Sequence, residues 1–327
     1  MVARVVLPGG PGQPQSGIGS GRSTGMTWNR DRMFLRKGIA LILVIGGRSK
    51  IGAALIGELL ARGERVRVLR RSAEAGTAGA AADGVETVTG DLADEGSVAA
   101  AMTGAEKVFL LSSPHPDAVR WHRNAIDAAR RRDVHLLVRS SIIGADRESP
   151  AEFVSAHTAV DRYLGESGLP HVIIRPNLFL QNIPEQTIPA IDPAGNFYVD
   201  AGEASISMVD TRDVAAVAAV ALTEPSQAGT NYDVTGPEAL SYSDVAARLS
   251  AALGRQISYV DVPDDAVRQA LAGAGLSEWF AGALVGLYQD YRRSGVSGYA
   301  AQVTDTVHQL TGRPARSLDE LLAETTA

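Results

Sequence analysis

From Gly38 onward, short apolar runs alternate with longer stretches in which apolar residues recur every three or four positions. The runs suit strands covered on both faces, and the longer stretches suit amphipathic helices, so the pattern predicts βαβ units around a parallel sheet. Residues 39–45 (I-A-L-I-L-V-I) form the first predicted strand, and Ile51 to Arg62 the first helix, stopped by Gly63. Strands follow at 65–69, 85–89, 108–111, 136–139 and 172–175, with helices at 94–102, 121–132 and 153–167. Six strands in about 140 residues is the rhythm of a doubly wound α/β fold of the Rossmann type.

Beyond Pro176 the rhythm loosens. Strands are expected at 197–199, 205–209, 232–235 and 257–260, and helices at 213–222, 242–253, across most of 264–293, and after Ser317. The expected organisation is a dinucleotide-binding domain at 38–177 and a smaller mixed lobe at 178–327, with the ligand cleft between them. Residues 1–37 are rich in Gly, Pro and Ser with a single acid, Asp31, and read as a disordered leader. Met26 and Met33 both lie close to the first strand, which makes an overlong start plausible.

Composition narrows the function classes. A net charge of −6 over 327 residues repels a polyanion, so no direct nucleic-acid partner is expected. The one basic run, Arg130 to Arg132, ends a predicted helix, where cations complement the helix dipole. No apolar run approaches the roughly 18–20 residues that span a bilayer, so no membrane partner is expected either. Cysteine is absent, which removes disulfides, thiol catalysis and Cys-ligated metal. A cytoplasmic monomer or homodimer acting on a small molecule, with no metal, is the expectation.

The strongest chemical signal is I-G-G-R-S-K-I-G at 45–52, between the first strand and the first helix. Gly46 allows a sharp exit from the strand, and Gly52 allows the helix to pack close to the sheet. The amides of Gly46, Gly47, Arg48, Ser49, Lys50, Ile51 and Gly52 surround a helix N-terminus that offers N–H groups and partial positive charge to a pyrophosphate. Ser49 stands where a middle glycine is common; it is small and adds a hydroxyl. The second strand ends V-R-V-L-R-R-S, with Arg70 and Arg71 where an NAD-binding chain carries an acid. Guanidinium groups suit a 2′-phosphate, and Arg48 can close on the same group, so NADP(H) is the expected cofactor. Asp91 and Leu92 follow the third strand, Ser112 and Ser113 the fourth, and Ser140 the fifth, all at the carboxyl edge where a cofactor passes.

Taken together, these residues resemble the NmrA-like branch of the atypical short-chain dehydrogenase/reductases. The resemblance rests on Gly46 to Gly52, Gly90-Asp91-Leu92, the stretch from Trp121 to Asp146, S-G-L-P-H-V-I-I-R-P-N at 167–177, V-D-T-R-D-V-A at 209–215, and Y-D-V-T-G-P-E-A-L-S at 232–241. It spans about residues 39 to 325. It implies a Rossmann domain with a small C-terminal lobe, NADP(H) preference, and reduction of quinones, dyes or unsaturated and carbonyl compounds. It also admits a redox-sensing regulator that binds the cofactor without turnover.

The Tyr-x-x-x-Lys pair of standard short-chain dehydrogenases is missing. The chain has only Lys37, Lys50 and Lys107, none four residues after a tyrosine. His157, near the start of the helix at 153–167, resembles a His or Lys that relatives place at the nicotinamide site, and it is the candidate catalytic residue. A plain helix-start histidine bonding a neighbouring loop is the other reading. Asn177, Gln181 and Asn182 are expected to line the cleft.

Overall fold

The computed structural model describes residues 40–71, 84–224 and 227–326. The leader expected at 1–37 lies outside the described residues.

Seven parallel strands form the main sheet in the order β3-β2-β1-β4-β5-β6-β8. They are β1 (Leu41–Ile45), β2 (Arg65–Arg70), β3 (Val85–Thr89), β4 (Lys107–Leu110), β5 (Leu136–Ser140), β6 (His171–Pro176) and β8 (Asn231–Val234). Every residue of β1 is buried, as its unbroken apolar run requires. Side chains alternate across the sheet. Ile42 and Val44 pack with α1 (Lys50–Ala61) and α5 (Thr211–Thr223), while Leu43 and Ile45 join the core beneath α2 (Glu95–Ala101), α3 (Ala118–Arg131) and α4 (Glu152–Glu166). The strand order reverses between β1 and β4. The crevice at the carboxyl ends there is where doubly wound sheets bind ligands.

A third core joins the start of α4 to the remaining elements. These include a two-stranded parallel sheet of β7 (Asn196–Val199) and β9 (Ser258–Asp261). Helices α6 (Tyr242–Leu253), α8 (Glu278–Ser294) and α10 (Leu318–Thr326) pack around it, with α7 (Asp264–Gly273) against α8. Helix α9 (Thr306–Thr311) lies against α5 instead.

Beyond the expected division at residue 177, β8 pairs with β6 at the edge of the main sheet, and α5 covers the α1 face of that sheet. One expectation changes. The strand expected at 205–209 does not form. Ile206 makes an isolated bridge with Leu240, Ser207 N donates to Ala300 O, and Val209 N donates to Leu178 O. Its backbone groups are satisfied by three different segments, so an apolar run that reads as a strand becomes a buried connector.

Candidate cofactor and active site

The chain leaves β1 through Gly46 at φ +90°, a backbone region that side chains disfavour. A Cβ there would lie 2.6 Å from Leu111 O, the first residue beyond β4, so the two strand ends are pressed together at the point of reversal. Ser49 N donates to Gly46 O at 2.9 Å and closes the turn. Ser49 Oγ accepts from Gly52 N at 2.9 Å, which makes Ser49 the N-cap of α1. That leaves the amides of Lys50 and Ile51 without a partner inside the helix. Gly52 sits so close to the loop that a Cβ would come within 2.2 Å of Gly46 O, and Ile51 anchors the turn in the core. Gly47 lies over Val68 of β2, where a Cβ would meet Val68 Cγ1 at 2.7 Å. Arg48 and Lys50 are exposed, and Lys50 forms an ion pair with Glu185 of the π-helical turn Ile183–Thr187.

Along the neighbouring strands, Arg70 is half-buried, with its Nε out of solvent and meeting no acceptor; Arg71 is exposed beside it. Asp91 is exposed and caps its own turn by accepting from Ala93 N at 2.9 Å. Leu92 is half-buried, and its carbonyl accepts from Asn124 Nδ2 at 2.9 Å. Ser112 and Ser113 follow β4, and Ser140 is buried at the end of β5.

Between the carboxyl ends of β4, β5 and β6 lies a charged cluster that strand periodicity did not reveal. Arg139 of β5, 1 % exposed, is its centre. Its Nε donates to His122 Nδ1 at 3.2 Å, its Nη1 bonds the Asp161 carboxylate, and its Nη2 lies 3.0 Å from His157 Nδ1. Asp161 also accepts from Ser141 Oγ at 2.8 Å and from Arg175 Nε at 3.3 Å; Arg175 Nη1 in turn reaches Asp146 at 3.1 Å. On the far side, His122 Nε2 lies 2.9 Å from Ser112 Oγ, whose hydroxyl donates to Ser113 O at 3.2 Å.

Burial, reinforced by the Arg139 charge, pushes both His122 and His157 well below the usual histidine range. Burial pulls Arg139 down to about 10, against the attraction of Asp161, so the guanidinium stays charged at neutral pH. Burial raises Asp161, with Arg139 and Ser141 opposing. The signal that finds this cluster in sequence is an arginine inside an otherwise apolar strand, L-L-V-R-S, with His157 and Asp161 four residues apart on one helix face.

The three residues expected to line the cleft bond as follows. Asn177 is buried and donates to Ser207 Oγ at 3.0 Å and Ala300 O at 2.8 Å. Gln181 is buried and accepts from Thr211 N at 3.0 Å, while Asn182 accepts from Gln186. The first two tie the segment after β6 to its neighbours. Tyr163 donates to Asp127 of α3, a helix-to-helix contact.

The cradle fits a dinucleotide phosphate on two counts. Its glycines approach neighbouring backbone or side chains too closely to admit any side chain, and Arg70 holds a buried donor that no protein group accepts. Among the described residues no group of acids and histidines is placed to hold a metal ion, and no helix is long and apolar enough to cross a membrane.

The sequence model of a family described as NAD(P)H-binding matches residues 46–225. The NAD(P)H azoreductase of Xenophilus azovorans is 38% identical over 287 residues, covering 86% of this chain and 96% of that one. Among solved structures, an NADPH-dependent quinone oxidoreductase from Escherichia coli complexed with NADPH superposes with a TM-score of 0.78 at 26% identity, covering 88% of this chain and 100% of that one. NmrA, a negative transcriptional regulator, superposes with a TM-score of 0.69 at 19% identity, covering 88% of this chain and 95% of that one, a likeness of fold.

Proposed function

Since the chain belongs to the NAD(P)H-binding family, we propose that it is an NADPH-dependent oxidoreductase reducing a small quinone-like, azo or conjugated carbonyl acceptor by hydride transfer. The observation that carries the reading is the glycine cradle at the point of strand reversal beside the unsatisfied Arg70 Nε.

In this reading the amides of Gly46 to Gly52 hold the pyrophosphate, with Lys50 adding charge, and Arg70, Arg71 and Arg48 hold the 2′-phosphate. Asp91 and Leu92 border the adenine, and Ser112, Ser113 and Ser140 line the path to the nicotinamide, where His157 stands. When bound, NADPH supplies a hydride, which is two electrons and one proton, and water supplies the second proton that completes the reduced acceptor. The chain's own share is orientation and exclusion of water. No Tyr-x-x-x-Lys acid is needed for an acceptor that is already electrophilic. We place the protein in the cytoplasm as a monomer or homodimer.

The test is NADPH oxidation by purified protein against a panel of quinones, azo dyes and enals. Turnover with at least one class is expected. Micromolar binding of NADPH without turnover on any of them would replace the enzyme with a cofactor-sensing protein.

A further inference from the structure

A guanidinium has donors and no acceptor, so any imidazole nitrogen facing it must present its lone pair. Arg139 faces two such nitrogens, Nδ1 of His122 and Nδ1 of His157. Each neutral ring must then carry its proton on Nε2. For His122 the consequence continues: Nε2–H donates to Ser112 Oγ, and the Ser112 hydroxyl turns to donate to Ser113 O. One buried side chain thereby sets hydrogen directions as far as Ser112 and Ser113 beyond β4 and, on the other side, at the face of α4.

We propose that Arg139 is a positioning residue that locks His122 and His157 in the same neutral tautomer, fixing a hydrogen-bond acceptor at Ser112 and a hydrogen-bond donor at His157 Nε2. The assignment of those two groups to the nicotinamide end rests on the function proposed above. His157 acts there as a donor to an acceptor oxygen that gains electron density, and it does not give up its proton. Ser112 Oγ keeps a lone pair for a ribose hydroxyl. The charged groups facing the pair are Asp161 of α4, Arg175 of β6 and Asp146 of the loop after β5, with Asp233 of β8 acting on Arg175. Asp161 holds Arg139, Arg175 holds Asp161 and Asp146, and none of these three bonds either ring.

Long-range 1H–15N NMR on imidazole-labelled wild-type protein reads the tautomers directly and needs neither cofactor nor turnover. His122→Asn and His157→Gln assign the two rings. Expected are two Nε2–H rings that do not titrate between about pH 5.5 and 8. An Nδ1–H signal on either ring, or titration of either in that range, overturns the proposal. Arg139→Lys keeps the charge but cannot span both rings. It should bring a His157 titration into view, add a step to the pH profile of kcat, and lower kcat about tenfold with NADPH KM changed by less than about threefold, as for loss of one hydrogen bond made in the transition state. A variant with the wild-type profile and kcat overturns it as well. If no acceptor is turned over, the function proposed above fails while the tautomer measurement still decides this one.

Discussion

Lys50, the first residue of α1, is paired with Glu185 in the turn that follows β6, so the phosphate loop is tied to the chain beyond the sheet. Both side chains are about half exposed, and a pair of this kind contributes under about 1 kcal/mol. Its larger effect is on the cofactor, because Glu185 neutralises a cation beside the pyrophosphate cradle. Glu185→Gln should tighten NADPH binding roughly threefold at low salt, with the gain fading as ionic strength rises. Calorimetric titration at two salt concentrations reads this; unchanged or weaker binding in both would refute it.

Arg70 and Arg71 separate the two nicotinamide cofactors. Arg71→Asp should weaken NADPH binding at least about tenfold, as expected from losing a charge-assisted bond, and should leave NADH binding nearly unchanged. Arg70→Ala should act in the same direction, because its buried Nε has no other acceptor. Equal losses for both cofactors would remove the 2′-phosphate role.

Two imidazoles held neutral beside Arg139, the buried His122 and the half-buried His157, make stability depend on pH. Unfolded, each binds a proton near about pH 6.5; folded, burial and Arg139 hold both neutral to well below that. Below the unfolded pKa the denatured chain binds protons that the native state refuses, so stability falls with pH by up to about 1.4 kcal/mol per unit for each ring. Asp161, raised by burial, takes up its proton earlier in the native state than in the unfolded chain and moderates the loss further down. Urea midpoints should drop between about pH 7.5 and 5.5, and less steeply in His122→Asn. A flat wild-type profile would contradict two rings held neutral in the native state.

Asp200 presents the opposite case. It is 1 % exposed, its Oδ2 has no partner, and burial pushes it up to about 6 despite Arg292. The native state therefore binds a proton between about pH 4 and 6 that the unfolded chain does not, and above that window the ionised carboxylate costs stability. Asp200→Asn should stabilise the protein by on the order of 2 kcal/mol at neutral pH, with the gain shrinking below about pH 6 and gone near pH 3. A variant less stable than wild type at neutral pH would show that the charge is needed.

The parts of the molecule that read from sequence are those whose causes are local. An unbroken apolar run, a glycine exit and a helix start lie within residues 39–62, and so β1, α1 and the loop between them were legible. Arg139 was not, because its partners lie 17, 18 and 22 residues away on two other elements. Residues 205–209 misled because burial alone makes a strand and a buried connector look alike; only the separate partners of Ile206, Ser207 and Val209 distinguish them. Asn177 and Gln181 carry polar side chains next to a cleft, but their bonds run to backbone and hydroxyl groups distant in sequence.

The place of β8 at the sheet edge sets an order of events during synthesis. Until residues 211–234 have left the ribosome, β6 is an open edge and the α1 side of the sheet lacks its α5 cover. The nascent nucleotide-binding half is then a sticky intermediate, and chaperone engagement should centre on the interval when it has emerged and its last strand has not. Cutting the gene after codon 177 would make that passing vulnerability permanent.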